Sequence, residues 1–251
     1  APGAGARCLA GFRASAVCPP PPSSSTSPVA CRRMTDGHSQ EAAAGPDGSA
    51  YFDEQAATWD EDPAKVERAA AVADAIAAAV PLGPATRMLE YGAGTGLVTQ
   101  ALRDRVGPVT LADTSAGMRA VMQAKVDAGA LPAARIWALD LAAEAPPEEH
   151  FDLVVTVMVL HHIADLAPVL ERFAAMLAPG GHLCIVDLDR EDGSFHGEGF
   201  GGHHGFRRPE LAGQLRAAGF TDVEVADCHE MVKDGAAYSL FLAVARRAAD
   251  G

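Results

Sequence analysis

The sequence predicts an α/β fold: a Rossmann-like, doubly wound sheet of seven mostly parallel strands, the last antiparallel, with helices on both faces. Three observations predict it. Short apolar runs alternate with helical stretches along most of the chain, the pattern of a sheet whose crossovers are helices. The run "FDLVVTV" (Phe151–Val157) is continuously apolar, as a strand covered on both faces must be. A glycine-rich turn, "EYGAGTG" (Glu90–Gly96), follows the first strand candidate and opens a helix, where such sheets hold ligands.

The elements are read in order. Ala64–Val80 favours helix, with Pro63 suited to its first position and "PLGPAT" (Pro81–Thr86) breaking it. Arg87–Tyr91 reads as a strand, Leu97–Val106 as a helix, Pro108–Asp113 as a strand and Ala116–Ala128 as a helix. Arg135–Leu139 and Phe151–Val157 are strands. Leu166–Leu177 is a helix closed by Pro179-Gly180-Gly181, and His182–Leu188 is a strand. Pro209–Ala218 is a helix, with Gly219 as the left-handed residue after it. Asp222–Ala226 and Tyr238–Ala245 are the last strands. No helix separates them, so they pair antiparallel or lie apart. There is no internal repeat.

The 251 residues, 49% of them apolar, suffice for one sizeable domain with appendages. Residues 1–50 read as a disordered tail before a domain at 51–251. The first 35 carry Arg7, Arg13, Arg32 and Arg33, no acid and a Pro/Ser run, which resembles an organelle transit peptide; an extension ahead of a start at Met34 is the other reading. The location expected is therefore cytoplasmic or organellar. No apolar block is long enough for a signal peptide or a spanning helix. All 33 acidic residues and all but four of the 20 basic ones lie beyond residue 35. So acidic a body repels phosphate backbones, which argues against a nucleic-acid partner. Of five cysteines, Cys8, Cys18 and Cys31 fall in the tail, and no CxxC exists to suggest a disulfide framework or a zinc ribbon.

The glycine turn indicates the ligand. The dinucleotide fingerprint is G-x-G-x-x-G, but here the third glycine comes one residue early. Glu90 also stands just before the turn, where it would repel a pyrophosphate. A phosphate-free cation fits better, and S-adenosylmethionine, with its sulfonium and amino group, is such a ligand. Asp113, ending "TLAD", is placed to accept from ribose hydroxyls; as a helix-opening acid beside Thr114 and Ser115 it has a structural alternative. Asp140, ending "WALD", is placed to accept from the adenine amine, with Leu139 or Leu141 against the ring.

In order and spacing, "MLEYGAGTG", "LADTSAGM", "ALDL", "FDLVVTVMVLHHI" and "LAPGGHLCIVD" resemble the motifs of class I S-adenosylmethionine-dependent methyltransferases, over about residues 51–245. The resemblance is strongest to the small-molecule group that includes quinone-biosynthesis methyltransferases. It implies that Glu90, Gly92 and Gly94 line the methionine end, and that Asp113 binds ribose with Thr114 and Met118 near the adenosine. It further implies that Asp140 and Leu141 bracket adenine, and that Thr156 lies beneath the sulfonium beside Val157. "YFDEQAATWDE" (Tyr51–Glu61) resembles the family's aromatic N-terminal lid, with Tyr51 and Trp59 as its contacts. The expected activity is methyl transfer to a small-molecule acceptor by in-line displacement. A non-catalytic cofactor-binding partner subunit and a protein methyltransferase are the alternatives.

Five of the nine histidines fall in two places: His161-His162 after the fourth strand, and His196, His203 and His204 in the Gly-rich stretch after the fifth. Adjacent histidines usually point apart, so no metal site is expected. The Ser194–Phe206 loop lies at the strand edge where an acceptor would sit. Phe195, Phe200 and Phe206 are candidates for an apolar wall there, and His203 or His204 for a catalytic proton acceptor.

Overall fold

The computed structural model describes residues 48–131 and 134–249. The N-terminal tail, with its arginines, lies outside the described residues. The order of elements is α1 (Gly48–Gln55), a 3-10 turn (Ala56–Glu61), α2 (Pro63–Ala79), β1 (Met88–Tyr91), α3 (Leu97–Leu102), β2 (Val109–Ala112), α4 (Ala116–Asp127) and β3 (Arg135–Trp137). Then follow β4 (Phe151–Val157), a second 3-10 turn (Leu160–His162), α5 (Leu166–Met176), β5 (Leu177–Leu188), α6 (Arg208–Ala217), β6 (Phe220–Lys233) and β7 (Ala236–Arg247).

The seven strands form one sheet in the order β3-β2-β1-β4-β5-β7-β6. Pairing is parallel from β3 to β5, and β7 runs antiparallel to both β5 and β6. The sheet order reverses between β1 and β4, so the crevice of a doubly wound sheet opens above their carboxyl ends.

Helices cover both faces because strand side chains alternate. Met88, Leu111, Leu153, Val155, Cys184 and Val186 pack with Val72 and Ile76 of α2, Leu102 of α3 and Met122 of α4. Leu89, Tyr91, Val154, Leu183 and Ile185 pack with Leu170 and Phe173 of α5 and Leu211 and Leu215 of α6. Local signals start the helices. Asp62 caps α2 through Ala64 N–H at 2.9 Å, with Pro63 following, and Ser115 caps α4 through Met118 N–H at 3.1 Å.

Two readings shift. Pro179-Gly180-Gly181 does not stand between helix and strand: β5 already begins at Leu177 and carries those residues across a register shift against β4. The last two strands are far longer than 222–226 and 238–245. They form a hairpin closed by Asp234 (φ 51°) and Gly235 (φ 80°), the paired left-handed residues a tight two-residue turn needs. Polar, half-exposed positions in β6, an edge strand, had hidden its length. Among the described residues no helix is long and apolar enough to cross a membrane.

Candidate active site

The glycine turn sits at the mouth of the crevice. Gly92, Gly94 and Gly96 all have positive φ (68°, 56° and 80°), a conformation that L side chains rarely adopt. Their surroundings differ. A Cβ on Gly92 would come within 2.3 Å of Val159 Cγ2, so this glycine lets β1 meet the chain leaving β4. A Cβ on Gly94 would meet nothing within 4 Å, so backbone is presented to open space there.

Asp113 faces this turn from the end of β2. One oxygen accepts from Gly94 N–H at 2.8 Å and the other from Ser115 N–H at 2.8 Å. Burial pushes its pKa up and these two backbone donors pull it down. A carboxylate has about four acceptor positions, so both oxygens keep capacity for further donors such as ribose hydroxyls. Thr114 is exposed, and its carbonyl accepts from Arg119 at 2.8 Å. Met118 is buried in α4.

Glu90 is buried at the end of β1, and its Oε2 accepts from Thr99 N–H at 3.1 Å and Thr99 Oγ1 at 2.5 Å. It therefore ties β1 to α3 as well as placing an acid under the turn. Burial, reinforced by the charge of Asp113, pushes its pKa up to about 7, while the Thr99 hydrogen bonds oppose the rise.

Beyond β3, Leu141 is fully buried. Its N–H donates to the Tyr91 hydroxyl at 3.0 Å and its carbonyl accepts from Arg172, so its backbone is fixed from both sides. Asp140 folds back to accept from Ala142 N–H at 2.8 Å, which holds the loop. Thr156, one residue before the end of β4, pairs beside Tyr91 and Ile185, with its buried hydroxyl unpaired among the described residues. Val157 follows, half-buried. Met158 then adopts φ 58°, an unusual conformation for a bulky side chain, at the point where the chain turns across the crevice.

The N-terminal segment closes over this edge. Tyr51 and Trp59 flank Phe52, edge-on at centroid distances of 5.3 and 5.9 Å. Lys65 Nζ lies 4.1 Å over the Trp59 ring, which pins that ring to α2. Residues outside the sequence reading latch the segment. Asp53 accepts from Ser115 Oγ at 2.5 Å and Gly117 N–H at 2.7 Å, while Asp60 accepts from Thr95 Oγ1 at 2.5 Å and pairs with Lys125 at 2.5 Å. The available signal was an acidic pair on an aromatic segment facing hydroxyls within two of the quoted motifs.

The histidines sort differently from their order in the sequence. His203 places Nε2 2.9 Å from the Ile163 carbonyl, and His204 Nδ1 lies 3.3 Å from Glu191. Both have partners beyond their own loop, and both lie outside the group that the fold assembles from His161, His162 and His196. The rings of His161 and His162 do not splay but lie 4.1 Å apart at 40°. His161 Nδ1 is 2.6 Å from the Asp187 carboxylate, which is fully buried and also accepts from Leu188 N–H at 2.8 Å. Burial, with His161 and His196 adjacent, pushes the His162 pKa down to about 2, so that imidazole is neutral. Phe195 and Phe200 pack around this group, Phe200 stacked on His196 at 3.7 Å; Phe206 packs instead toward Phe241.

A match to the family model described as a methyltransferase domain spans residues 64–225, from α2 to β6 and across the whole crevice. The chain belongs to the methyltransferase-domain family. This methyltransferase is 39% identical over 126 residues to the biotin biosynthesis bifunctional protein BioCD of Bordetella avium, a match covering 49% of this chain and 26% of the relative. It is 31% identical over 109 residues to the ubiquinone biosynthesis O-methyltransferase of Rhodopseudomonas palustris, covering 43% and 42%. The chain thus spans less than half the length of these curated relatives. Among solved structures, a Haloferax volcanii methyltransferase in complex with the Trm112 methyltransferase activator superposes with a TM-score of 0.64 at 20% identity, covering 78% of this chain and 97% of that one. That likeness establishes the fold, and family membership makes S-adenosylmethionine the methyl donor. The residues fit it: an open glycine backbone, an anchored acid at the end of β2 and an unpaired buried hydroxyl near the end of β4, among the described residues.

Proposed function

We propose that this methyltransferase moves the methyl group of S-adenosylmethionine to a small-molecule acceptor. The observation that carries the reading is the source of the acceptor side. The chain itself builds it from the 3-10 turn at Leu160–His162, Phe195, His196 and Phe200, beside the Phe52 lid segment. A wall this crowded with aromatic and imidazole rings suits a compact acceptor better than a protein surface. The ubiquinone O-methyltransferase relatives support the same choice.

When bound, the cofactor supplies a methyl carbon already activated by its cationic leaving group. The chain's task is then alignment and exclusion of water, and orientation alone supplies about 7–11 kcal/mol in favourable cases. Asp113 and the Gly94 backbone hold the adenosine and methionine portions, Asp140 and Leu141 frame the adenine, and Thr156 and Val157 support the sulfonium. Tyr51 and Trp59 belong to the cover rather than the floor. His203 fastens the Gly-rich loop to the Ile163 carbonyl, and His204 lies beside Glu191.

The test is incubation of the purified protein with methyl-labelled cofactor and a metabolite extract, followed by mass spectrometry. A labelled small molecule, formed by the wild type and lost in Asp113→Ala, is expected. Label appearing only in protein would favour a protein acceptor, and no label anywhere would favour a cofactor-binding partner subunit.

A further inference from the structure

We infer that His161, His162 and His196 form a binding site for one divalent transition-metal ion of the zinc type at the acceptor side of the crevice. One ring nitrogen from each of the three lies within 4.8 Å of the others. Three imidazoles converging from two separate segments are a donor set that suits zinc, copper, iron and nickel, and poorly suits magnesium or calcium.

The second line of evidence is the support behind the ligands. Metal-binding histidines characteristically donate their other ring N–H to a carboxylate, which fixes the tautomer and raises ligand basicity. His161 has that partner: with Nδ1 2.6 Å from Asp187 Oδ1, its Nε2 is the nitrogen left for a metal. Asp187 is itself held by the Leu188 N–H and fully buried. The third line is a buried polar atom: His162 Nδ1 has no hydrogen-bond partner among the described residues. A buried unsatisfied nitrogen costs free energy, and an ion is one of the few things that relieves it.

The loop that carries His196 is fastened to the turn that carries the other two. His203 N–H donates to the His161 carbonyl at 2.7 Å, and a Cβ on Gly202 would fall 2.2 Å from that same oxygen. Glycine at 202 is thus what permits the approach. Phe195, Phe200 and Phe52 supply the apolar surround, with ring centroids 3.7 to 5.7 Å from His196 or His162. Three protein ligands leave a fourth position for water or for a donor atom of the acceptor, the arrangement of catalytic rather than structural zinc. The site goes beyond the methyl-transfer reading, and its test does not depend on turnover.

The experiment uses tag-free protein stripped with chelator and titrated with Zn2+ and with Co2+, read by calorimetry, cobalt absorption and bound metal per chain. One equivalent per chain is expected, with the d–d bands of low-coordinate cobalt. Affinity should fall more than tenfold in His196→Ala and in His162→Gln, and tenfold or more in Asp187→Asn. The exposed His150→Ala should bind as the wild type does. The wild type failing to bind one equivalent, or binding unchanged in both His196→Ala and His162→Gln, would overturn the site. S-adenosylmethionine binding, measured on the same samples, reports folding. It also separates the two readings: cofactor binding without metal binding sinks only the metal site, and loss of both in the wild type sinks the methyltransferase reading as well.

Discussion

At the scale of the residue, Gly92 and Gly94 separate stability from binding. Gly92→Ala drives a methyl group into Val159 as well as imposing an unfavourable φ, so it should destabilise the fold, by about 1–3 kcal/mol from backbone strain alone. Gly94→Ala meets open space and carries the φ cost only, but its methyl group occupies the face offered to the ligand. It should weaken cofactor binding more than Gly92→Ala does, at a smaller loss of stability; denaturant unfolding alongside calorimetry measures both. Glu90 gives a pH prediction. Its folded-state pKa is raised to about 7 from an ordinary 4.5, so the protonated form is favoured in the fold. The stability it contributes is present below about pH 4.5 and lost as pH rises through 7. Relative to Glu90→Gln, the wild type should lose stability across that window; a pH-independent difference between the two would show that Glu90 ionises normally. S-adenosylmethionine, a cation, should bind more tightly as Glu90 ionises.

At the scale of the element, α1 and the following 3-10 turn form a cover whose latches are Asp53 and Asp60. Both reach hydroxyls of the cofactor motifs, Ser115 and Thr95, so cover and cofactor turn are mechanically linked. Replacing both acids with Asn should increase protease cleavage and amide exchange within residues 48–61 and reduce cofactor affinity, while β1–β5 exchange as before. Bound cofactor should in turn slow exchange in the cover of the wild type. The second element-scale expectation concerns the β6–β7 hairpin. Gly235→Ala, at φ 80°, should destabilise the protein without changing cofactor affinity, because its turn lies at the tip of an edge hairpin.

At the scale of the whole molecule, strand and helix order was legible because parallel strands buried on both faces are written as uninterrupted apolar runs. Phe151–Val157 falls where its sequence says. The meeting of Gly94 and Asp113 was legible for a related reason: both stand at the ends of such runs, where position along the chain fixes position in space. The histidine group was not legible in this way. His196 joins His161 and His162 only through a loop folded back by Gly202 and His203, and no periodicity records that contact. The hairpin length was hidden because β6 is an edge strand, whose polar residues face water. Met118 and Leu141, assigned to the adenosine by motif alone, have side chains buried in the core.

The central claim is that the crevice above β1 and β2 is a binding site for S-adenosylmethionine anchored on Asp113. Calorimetric titration of the purified chain with S-adenosylmethionine, its demethylated product and NAD tests it most directly. The account predicts one molecule of either methionine-derived ligand bound per chain, no binding of NAD, and affinity weakened more than tenfold in Asp113→Ala. Binding of NAD in their place, or an affinity for S-adenosylmethionine untouched by Asp113→Ala, would contradict it.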